Sequence, residues 1–262
     1  MVGYSVVCQE IFQSFESISF TENSIQQLHD WLLRYSDKDI QHRGYYKKLS
    51  NNVEAFDASG KSIGIVFQTA SPFETPREMQ ELIYWTNESL AQKSLHPLLI
   101  IGIFVVIFLA IHPFQDGNGR LSRLLTTLLL LKSGYLYVPY SSLESIIERS
   151  KESYYLALRK TQASLKTEKM DFNPWLLFFL RALQKQKSHL EHKVKAEQIL
   201  LELPPLSVHI LSVLKDQGPL SVSNIQKITE ANRHTLKKHL AELVKMRHIS
   251  RIGKGRGTHY RR

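Results

Sequence analysis

Two apolar runs, at residues 98–111 and 124–131, enclose a short polar segment, and this arrangement constrains the fold more than any other part of the chain. Each run suits a buried helix, and the first falls short of the ~18–20 residues that a bilayer span needs. The polar segment between them contains a proline and two glycines. We therefore expect a loop between two buried helices, with no membrane-spanning segment and a mainly α fold.

The residue types in this segment point to phosphate. Gly117 and Gly119 remove side chains at positions where backbone N–H groups must close on an anion. Arg120 and Arg123 are three residues apart, so they lie on one face of the helix that they begin. Because helix N-termini bind anions, the sequence predicts a phosphate site at the start of the second helix.

Residues 112–123 read H-P-F-Q-D-G-N-G-R-L-S-R and resemble the signature of the Fic family, H-P-F-x-[D/E]-G-N-G-R-x-x-R. The resemblance extends over about residues 24–183, although Val105 and Leu109 stand where the family often has His and Glu. It implies a helical bundle with a β-hairpin flap. Further landmarks that carry it are Arg43-Gly44-x-Tyr46-Lys47, His96-Pro97, Tyr154-Tyr155 followed by Leu158, and Asn173-Pro174-Trp175.

The activity implied by the resemblance is transfer of AMP from ATP to a Ser, Thr or Tyr hydroxyl of a protein, with release of pyrophosphate. His112 would be the general base, since its ordinary pKa near 6.5 suits proton removal at neutral pH. Asp116 would hold Mg²⁺, which often takes one carboxylate beside phosphate oxygens. Asn118 and backbone amides would hold the α-phosphate, and Arg120 and Arg123 the β- and γ-phosphates.

Residues 51–70 read as strand, turn and strand, with strands at 51–56 and 61–67. In the family, this flap pairs with a strand of the target through main-chain hydrogen bonds. A hairpin that only covers the core is the alternative. The expected docking residues are Ile63, Gly64, Ile65 and Val66.

Tyr154 and Tyr155 allow two interpretations. Aromatic residues on a helix are usually part of the core. The resemblance instead places the nucleobase pocket near this segment, which would make both residues part of the nucleotide site.

Charge is distributed unevenly along the chain. Residues 207–262 contain 12 Lys and Arg against 3 Asp and Glu, a net charge of +9, whereas residues 1–206 have a net charge of only +1. Pro204-Pro205 interrupts a charged helical segment at 184–203. We therefore predict a Fic catalytic domain at residues 1–203, with its core at about 24–183, and a separate domain at 204–262.

The pattern of this second domain is three helices, at residues 208–214, 222–229 and 233–246, followed by strands at 248–252 and 258–260 around a glycine-rich turn. This order resembles winged-helix DNA-binding domains, a small α+β fold. Its basic residues would contact phosphates of duplex DNA, although winged helices also dock proteins. The expected DNA-binding residues are Arg233, Lys237, Lys238, Lys254 and Arg256.

Many Fic proteins carry an inhibitory motif, [S/T]-x-x-x-E-[G/N], whose glutamate pairs with the second arginine of the signature. The strict motif is absent, and Glu22-Asn23 is the nearest match because Ile18 stands at the Ser/Thr position. We therefore expect Arg123 to be free for phosphate.

The single cysteine, Cys8, and the lack of a signal peptide indicate a cytoplasmic protein. Two functional classes remain: a protein adenylyltransferase, and a DNA-binding regulator whose Fic domain senses nucleotide. Use of another nucleotide, removal of AMP and assembly as a homodimer are left open.

Overall fold

The structure, a computed structural model, describes residues 2–56, 62–165, 167–253 and 255–262. Within these ranges it is mainly helical, which confirms the predicted fold class. The helices are α1 (Val2–Ser14), α2 (Glu22–Leu33), α3 (Thr75–Gln92), α4 (Pro97–Ile111), α5 (Asn118–Lys132), α6 (Leu143–Arg149), α7 (Lys151–Ser164), α8 (Asn173–Glu202), α9 (Pro205–Gln217), α10 (Val222–Thr229) and α11 (Arg233–Lys245). The strands are β1 (Val53–Phe56), β2 (Ser62–Phe67), β3 (Leu220–Ser221), β4 (Ser250–Ile252) and β5 (His259–Arg261).

The chain separates into two compact units, Met1–Leu190 and Glu191–Arg262. The division falls within α8, which joins the predicted closing helix and the charged segment at 184–203 into one helix. The domain boundary that the sequence predicts at residues 203 and 204 stays a prediction.

Helix α4 lies at the centre of the first unit. It is apolar on nearly every side because it packs against α3, α5 and α7. Its residues Ile100, Phe104 and Phe108 are fully buried, as are Leu124 and Leu125 of α5. A helix surrounded by other helices has no need of a polar face. Among the described residues, no helix combines the length and apolar character that a membrane span requires.

Helix α8 closely approaches α4 where Trp175 contacts Gly102. The indole nitrogen of Trp175 donates a hydrogen bond of 2.7 Å to the backbone carbonyl of Gly102. A Cβ atom at Gly102 would lie 2.6 Å from Leu176 Cδ2 and 3.1 Å from Phe179 Cδ1. Glycine therefore permits the approach of the two helices, and the indole hydrogen bond sets their register.

The predicted hairpin is present. Strands β1 and β2 are antiparallel, with Val53 opposite Phe67 and Glu54 opposite Ile65, and the register is irregular between these pairs. We call this hairpin the flap. Its predicted turn at residues 57–60 lies outside the described residues. The docking role of Ile63 to Val66 in β2 stays a prediction.

The second unit contains α9, α10 and α11 with a three-stranded antiparallel sheet in the order β3-β5-β4. The predicted helix at 222–229 agrees with α10, whereas the two-residue strand β3 was not predicted. Gly253, with φ of +81°, turns the chain after β4, where a Cβ would lie 2.4 Å from the Gly257 carbonyl oxygen. Because so close a contact is possible only without a side chain, glycine shapes this turn. The winged-helix assignment stays a prediction.

Replacing Trp175 with phenylalanine should lower the free energy of unfolding by about 1–3 kcal/mol, because the hydrogen bond to Gly102 and part of the ring packing are lost. Urea denaturation measures this. Trp85→Phe, at a half-buried position of α3, is the matched control and should cost less. Equal losses in the two variants would contradict the assigned role of Trp175.

Candidate functional site

Two left-handed residues shape the loop between α4 and α5. His112 follows the last residue of α4 with φ of 54° and ψ of 59°, and its N–H donates to the Phe108 carbonyl at 2.9 Å. Gly117 has φ of 81° and caps the N-terminus of α5. The first N–H groups of a helix have no partners within it. The turn at Gly117 therefore places a helix N-terminus at the end of the loop.

The imidazole of His112 is held in one tautomer. Its Nδ1 lies 3.3 Å from the Leu109 carbonyl oxygen, which can only accept, so Nδ1 carries the proton and Nε2 keeps a lone pair. Burial, with a smaller contribution from the nearby Lys47, lowers the pKa of His112 to about 4 against the opposing effects of the Leu109 carbonyl and Asp116. The ring is therefore neutral at pH 7, as a general base must be.

The Asp116 carboxylate is partly exposed and lies among cations. Lys38 Nζ is 3.1 Å from its Oδ2, and an Arg120 nitrogen is 3.6 Å from its Oδ1. It also accepts the N–H of Gly117 at 2.5 Å. Burial raises the pKa of Asp116, but the Gly117 N–H and Lys38 outweigh it and hold that pKa below its ordinary value. The carboxylate is therefore ionised at neutral pH.

Both ends of the Asn118 side-chain amide form hydrogen bonds to Phe114 within the loop. Its Oδ1 accepts the N–H of Phe114 at 2.9 Å, and its Nδ2 donates to the Phe114 carbonyl at 2.6 Å. Asn118 is buried. In this arrangement the side chain shapes the loop, and backbone N–H groups at the start of α5 are further donors for a phosphate. The role of Asn118 at the α-phosphate stays a prediction.

Arg123 is already paired, contrary to the expectation that it is free. Its Nε forms an ion pair with Glu144 Oε2 at the start of α6. The same oxygen accepts the Tyr4 hydroxyl at 3.5 Å. Glu144 has no sequence motif that would identify it, since the contact depends on how α5 and α6 pack. Glu22, the nearest match to the inhibitory motif, begins α2 beside Tyr46.

His29, which was not predicted from the sequence as a site residue, contacts the loop at Phe114 and Asp116. Its ring stacks on Phe114 with centroids 3.8 Å apart. Because the Gly44 N–H donates to its Nδ1 at 2.9 Å, Nε2 carries the proton and donates to the Asp116 carbonyl at 3.0 Å. Burial lowers the pKa of His29 to about 4. A neutral histidine therefore joins α2 to the loop.

Tyr154 and Tyr155 occupy different environments. Tyr154 is buried, and its ring makes edge contacts with Trp175 and Phe178. Burial raises its pKa to about 12, while the nearby Arg123 lowers it. Tyr155 is half exposed and meets Tyr154 edge on. Tyr154 thus belongs to the core beside Arg123, and Tyr155 is the residue with an accessible ring.

Three of the five predicted DNA-binding side chains can be placed. Arg233, Lys237 and Lys238 are exposed on α11, whereas Leu236 and Leu240 of the same helix are buried. The N-terminus of α11 is capped by Asn232, whose Oδ1 accepts the His234 N–H at 2.8 Å. Lys254 and the side chain of Arg256 lie outside the described residues.

Residues 19–130 match the Fic/DOC family, which confirms the resemblance for this segment. A probable protein adenylyltransferase of Aquifex aeolicus is 30% identical over 99 residues, covering 38% of this chain and 28% of that protein. The protein adenylyltransferase Fic of Drosophila virilis is 28% identical over 185 residues, covering 69% of this chain and 30% of that protein. The chain spans less than a third of the length of these relatives.

Solved structures have the same fold. A Fic family protein from Desulfovibrio desulfuricans G20 aligns with a TM-score of 0.56 and 23% identity, covering 96% of this chain and 72% of that one. A Fic domain-containing signalling protein from Bacteroides thetaiotaomicron aligns with a TM-score of 0.53 and 27% identity, covering 72% of this chain and 67% of that one. Both matches support the Fic fold for this chain.

His29 and His112 should make stability depend on pH. Unfolded, each imidazole binds a proton as the pH falls below about 6.5, whereas the folded chain excludes it until about pH 4. The free energy of unfolding should therefore be highest above pH 6.5 and should decrease as the pH is lowered from 6.5 to 4. His29→Gln should make this fall shallower in urea titrations at several pH values.

The control for this experiment is His189→Gln, at an exposed position of α8. It should follow the wild type at every pH. A His29→Gln variant with the same pH dependence as the wild type would show that His29 titrates normally.

Proposed function

We propose that this chain is a protein adenylyltransferase that transfers AMP from ATP to a Ser, Thr or Tyr hydroxyl of a protein. The observation that carries the proposal is the neutral His112, with Nε2 unprotonated, on a loop that ends at a helix N-terminus bearing two arginines. The match of residues 19–130 to the Fic/DOC family and the adenylyltransferase relatives support it.

In this reaction the hydroxyl oxygen forms a bond to the α-phosphorus of ATP as the bond to pyrophosphate breaks. His112 Nε2 takes the hydroxyl proton, and pyrophosphate carries away the electron pair. General-base help of this kind is typically worth about 10²–10⁴ in rate. Backbone N–H groups at Gly119 and Arg120, at the N-terminus of α5, would stabilise the charge on the α-phosphate.

Asp116 is the residue that would hold Mg²⁺. Its carboxylate is ionised and partly exposed, although Lys38 and Arg120 lie against it. The described residues contain no group of three or more His, Cys, Asp or Glu side chains arranged for a metal ion. A single carboxylate fits a Mg²⁺ that takes its remaining ligands from phosphates and water. When bound, the ion would neutralise phosphate charge.

Nucleotide phosphates must compete with Glu144 for Arg123. The side chain of Arg123 is only about one-fifth exposed, and Glu144 is paired with its Nε. Arg120 is more exposed and would meet the phosphates first. We propose that Arg123 exchanges Glu144 for phosphate when ATP binds. We also propose that Tyr155, whose ring is accessible, lies nearer the adenine ring of ATP than Tyr154 does.

We propose further that the second unit is a winged helix that binds duplex DNA. The exposed basic residues of α11 and the charge of +9 on residues 207–262 favour this over protein docking. A DNA-binding regulator that senses nucleotide is the second candidate function of the whole chain. The cytoplasmic location stays a prediction, and assembly as a homodimer stays open.

His112→Ala should abolish transfer of label from ATP to protein while leaving ATP affinity nearly unchanged, because the base acts on the acceptor hydroxyl and not on the phosphates. Labelling with α-labelled ATP and equilibrium binding of ATP measure the two effects. If ATP binding collapsed in this variant, His112 would be structural.

Arg123→Ala should weaken ATP binding, since a charge-assisted contact worth about 1.5–3 kcal/mol is lost. Glu144→Gln should strengthen ATP binding severalfold, because the competing carboxylate is gone while the shape is kept. Isothermal titration of both variants measures the change. Unchanged affinity in Glu144→Gln would show that ATP does not displace Glu144.

Binding of the chain to duplex DNA should weaken steeply as salt rises, and reversing the charges at Arg233, Lys237 and Lys238 should flatten that slope. Fluorescence anisotropy at several salt concentrations measures both. Lys215→Glu, an exposed charge reversal on α9, is the control and should change the slope less. Absent or salt-independent binding would favour protein docking.

A further inference from the structure

Lys47 is a buried cation without a carboxylate partner among the described residues. The residue is 3% exposed. Its Nζ donates to three neutral oxygens, Asn51 Oδ1 at 2.8 Å, Thr69 Oγ1 at 3.1 Å and the Ile111 carbonyl at 2.9 Å. Burial lowers the pKa of Lys47 to about 8, with Glu78 opposing the shift. Burying a charge in this way is costly unless its hydrogen bonds are all satisfied.

Lys47 and Asn51 together donate hydrogen bonds to the backbone carbonyls around His112, the proposed general base. Asn51 Nδ2 donates to the carbonyls of His112 at 3.1 Å and Phe114 at 2.6 Å. The backbone N–H of Lys47 donates to the Pro113 carbonyl at 2.8 Å. With the Lys47 ammonium on the Ile111 carbonyl, four successive carbonyls are held by two residues. These include the last carbonyl of α4, which has no partner within the helix.

This set of hydrogen bonds explains how His112 keeps its backbone conformation. A left-handed residue other than glycine costs roughly 1–3 kcal/mol and persists only where its surroundings impose it. The carbonyls on both sides of His112 are anchored, and its own carbonyl is bound by Asn51. The direction of the imidazole therefore depends on Lys47 and Asn51.

The same residues hold the base of the flap. Asn51 and Asn52 directly precede β1, and Thr69 follows β2 after one intervening residue. Thr69 Oγ1 donates to Asn51 Oδ1 at 3.1 Å, and the Thr69 N–H donates to Asn52 Oδ1 at 3.1 Å. Both ends of the hairpin thus belong to the same hydrogen-bond network, through Lys47 and Asn51, that binds the carbonyls of the His112 loop.

We propose that Lys47, Asn51 and Thr69, the flap clamp, are positioning residues that fix the flap relative to His112. A strand paired with the flap through its main chain would then present its hydroxyl at a set distance from the base. This inference rests on the proposed transferase function and adds to it the residues that couple acceptor docking to the base. The phosphate-binding residues 116–123 are outside the clamp.

The experiment compares Lys47→Met and Thr69→Val with two controls, Lys48→Met at the exposed neighbouring position and Thr69→Ser, which keeps the hydroxyl. Autolabelling with α-labelled ATP, equilibrium ATP binding and the NMR resonance of the His112 ring are measured. Lys47→Met should slow autolabelling by ~10- to 100-fold, since small misplacements of a catalytic group have effects of that size. ATP affinity should stay within about twofold of the wild type.

In Lys47→Met, the NMR resonance of the His112 ring should also shift relative to the wild type. Thr69→Val, the milder change, should lower autolabelling and shift the same resonance, and Thr69→Ser should restore both. The proposal is overturned if ATP affinity falls in step with labelling, if Lys48→Met matches Lys47→Met, or if the His112 resonance does not move. If the wild type labels nothing, the proposed transferase function fails, while the His112 resonance in Lys47→Met against Lys48→Met still tests the clamp.

Discussion

The left-handed turn at His112 is the constraint on which the rest of the site depends. Helix α4 is buried and cannot shift easily, so the residue that ends it has a defined position. From there the chain must reverse within six residues to begin α5 at Asn118. Hydrogen bonds from Lys47, Asn51 and Asn118 hold the carbonyls of this turn, and the His29 ring stacks on its Phe114. The base and the anion site are therefore parts of one rigid loop.

Charge is distributed across this loop in a way that suits phosphate chemistry. His29 and His112 are neutral because they are buried, whereas Asp116 stays ionised because N–H and ammonium groups surround it. The arginines of α5 supply positive charge next to Asp116 and Glu144. Glu144 and Lys38 neutralise Arg123 and Asp116. In the proposed reaction both pairs would open for a nucleotide with its metal ion, and binding would exchange internal ion pairs for external ones.

Much of this fold could be predicted from the sequence, because its signals are local. The apolar runs at 98–111 and 124–131 became α4 and the buried part of α5, and the alternating segment before Thr69 became the flap. The partners of the site residues could not be predicted in this way. His29 meets Asp116 across 87 positions, and Glu144 meets Arg123 only through the packing of α5 and α6. The strand β3 exists because Leu220 pairs with Tyr260, which no local pattern reveals.

The position of the label in ATP tests the central claim most directly. The purified chain would be incubated with Mg²⁺ and ATP labelled either on the α- or on the γ-phosphate, and the label bound to the chain itself would be measured. Attack at the α-phosphate predicts that protein becomes labelled from α-labelled ATP, with none from γ-labelled ATP, and that pyrophosphate is released in equal amount. Protein labelled from γ-labelled ATP, or no labelling with either nucleotide, would contradict the account.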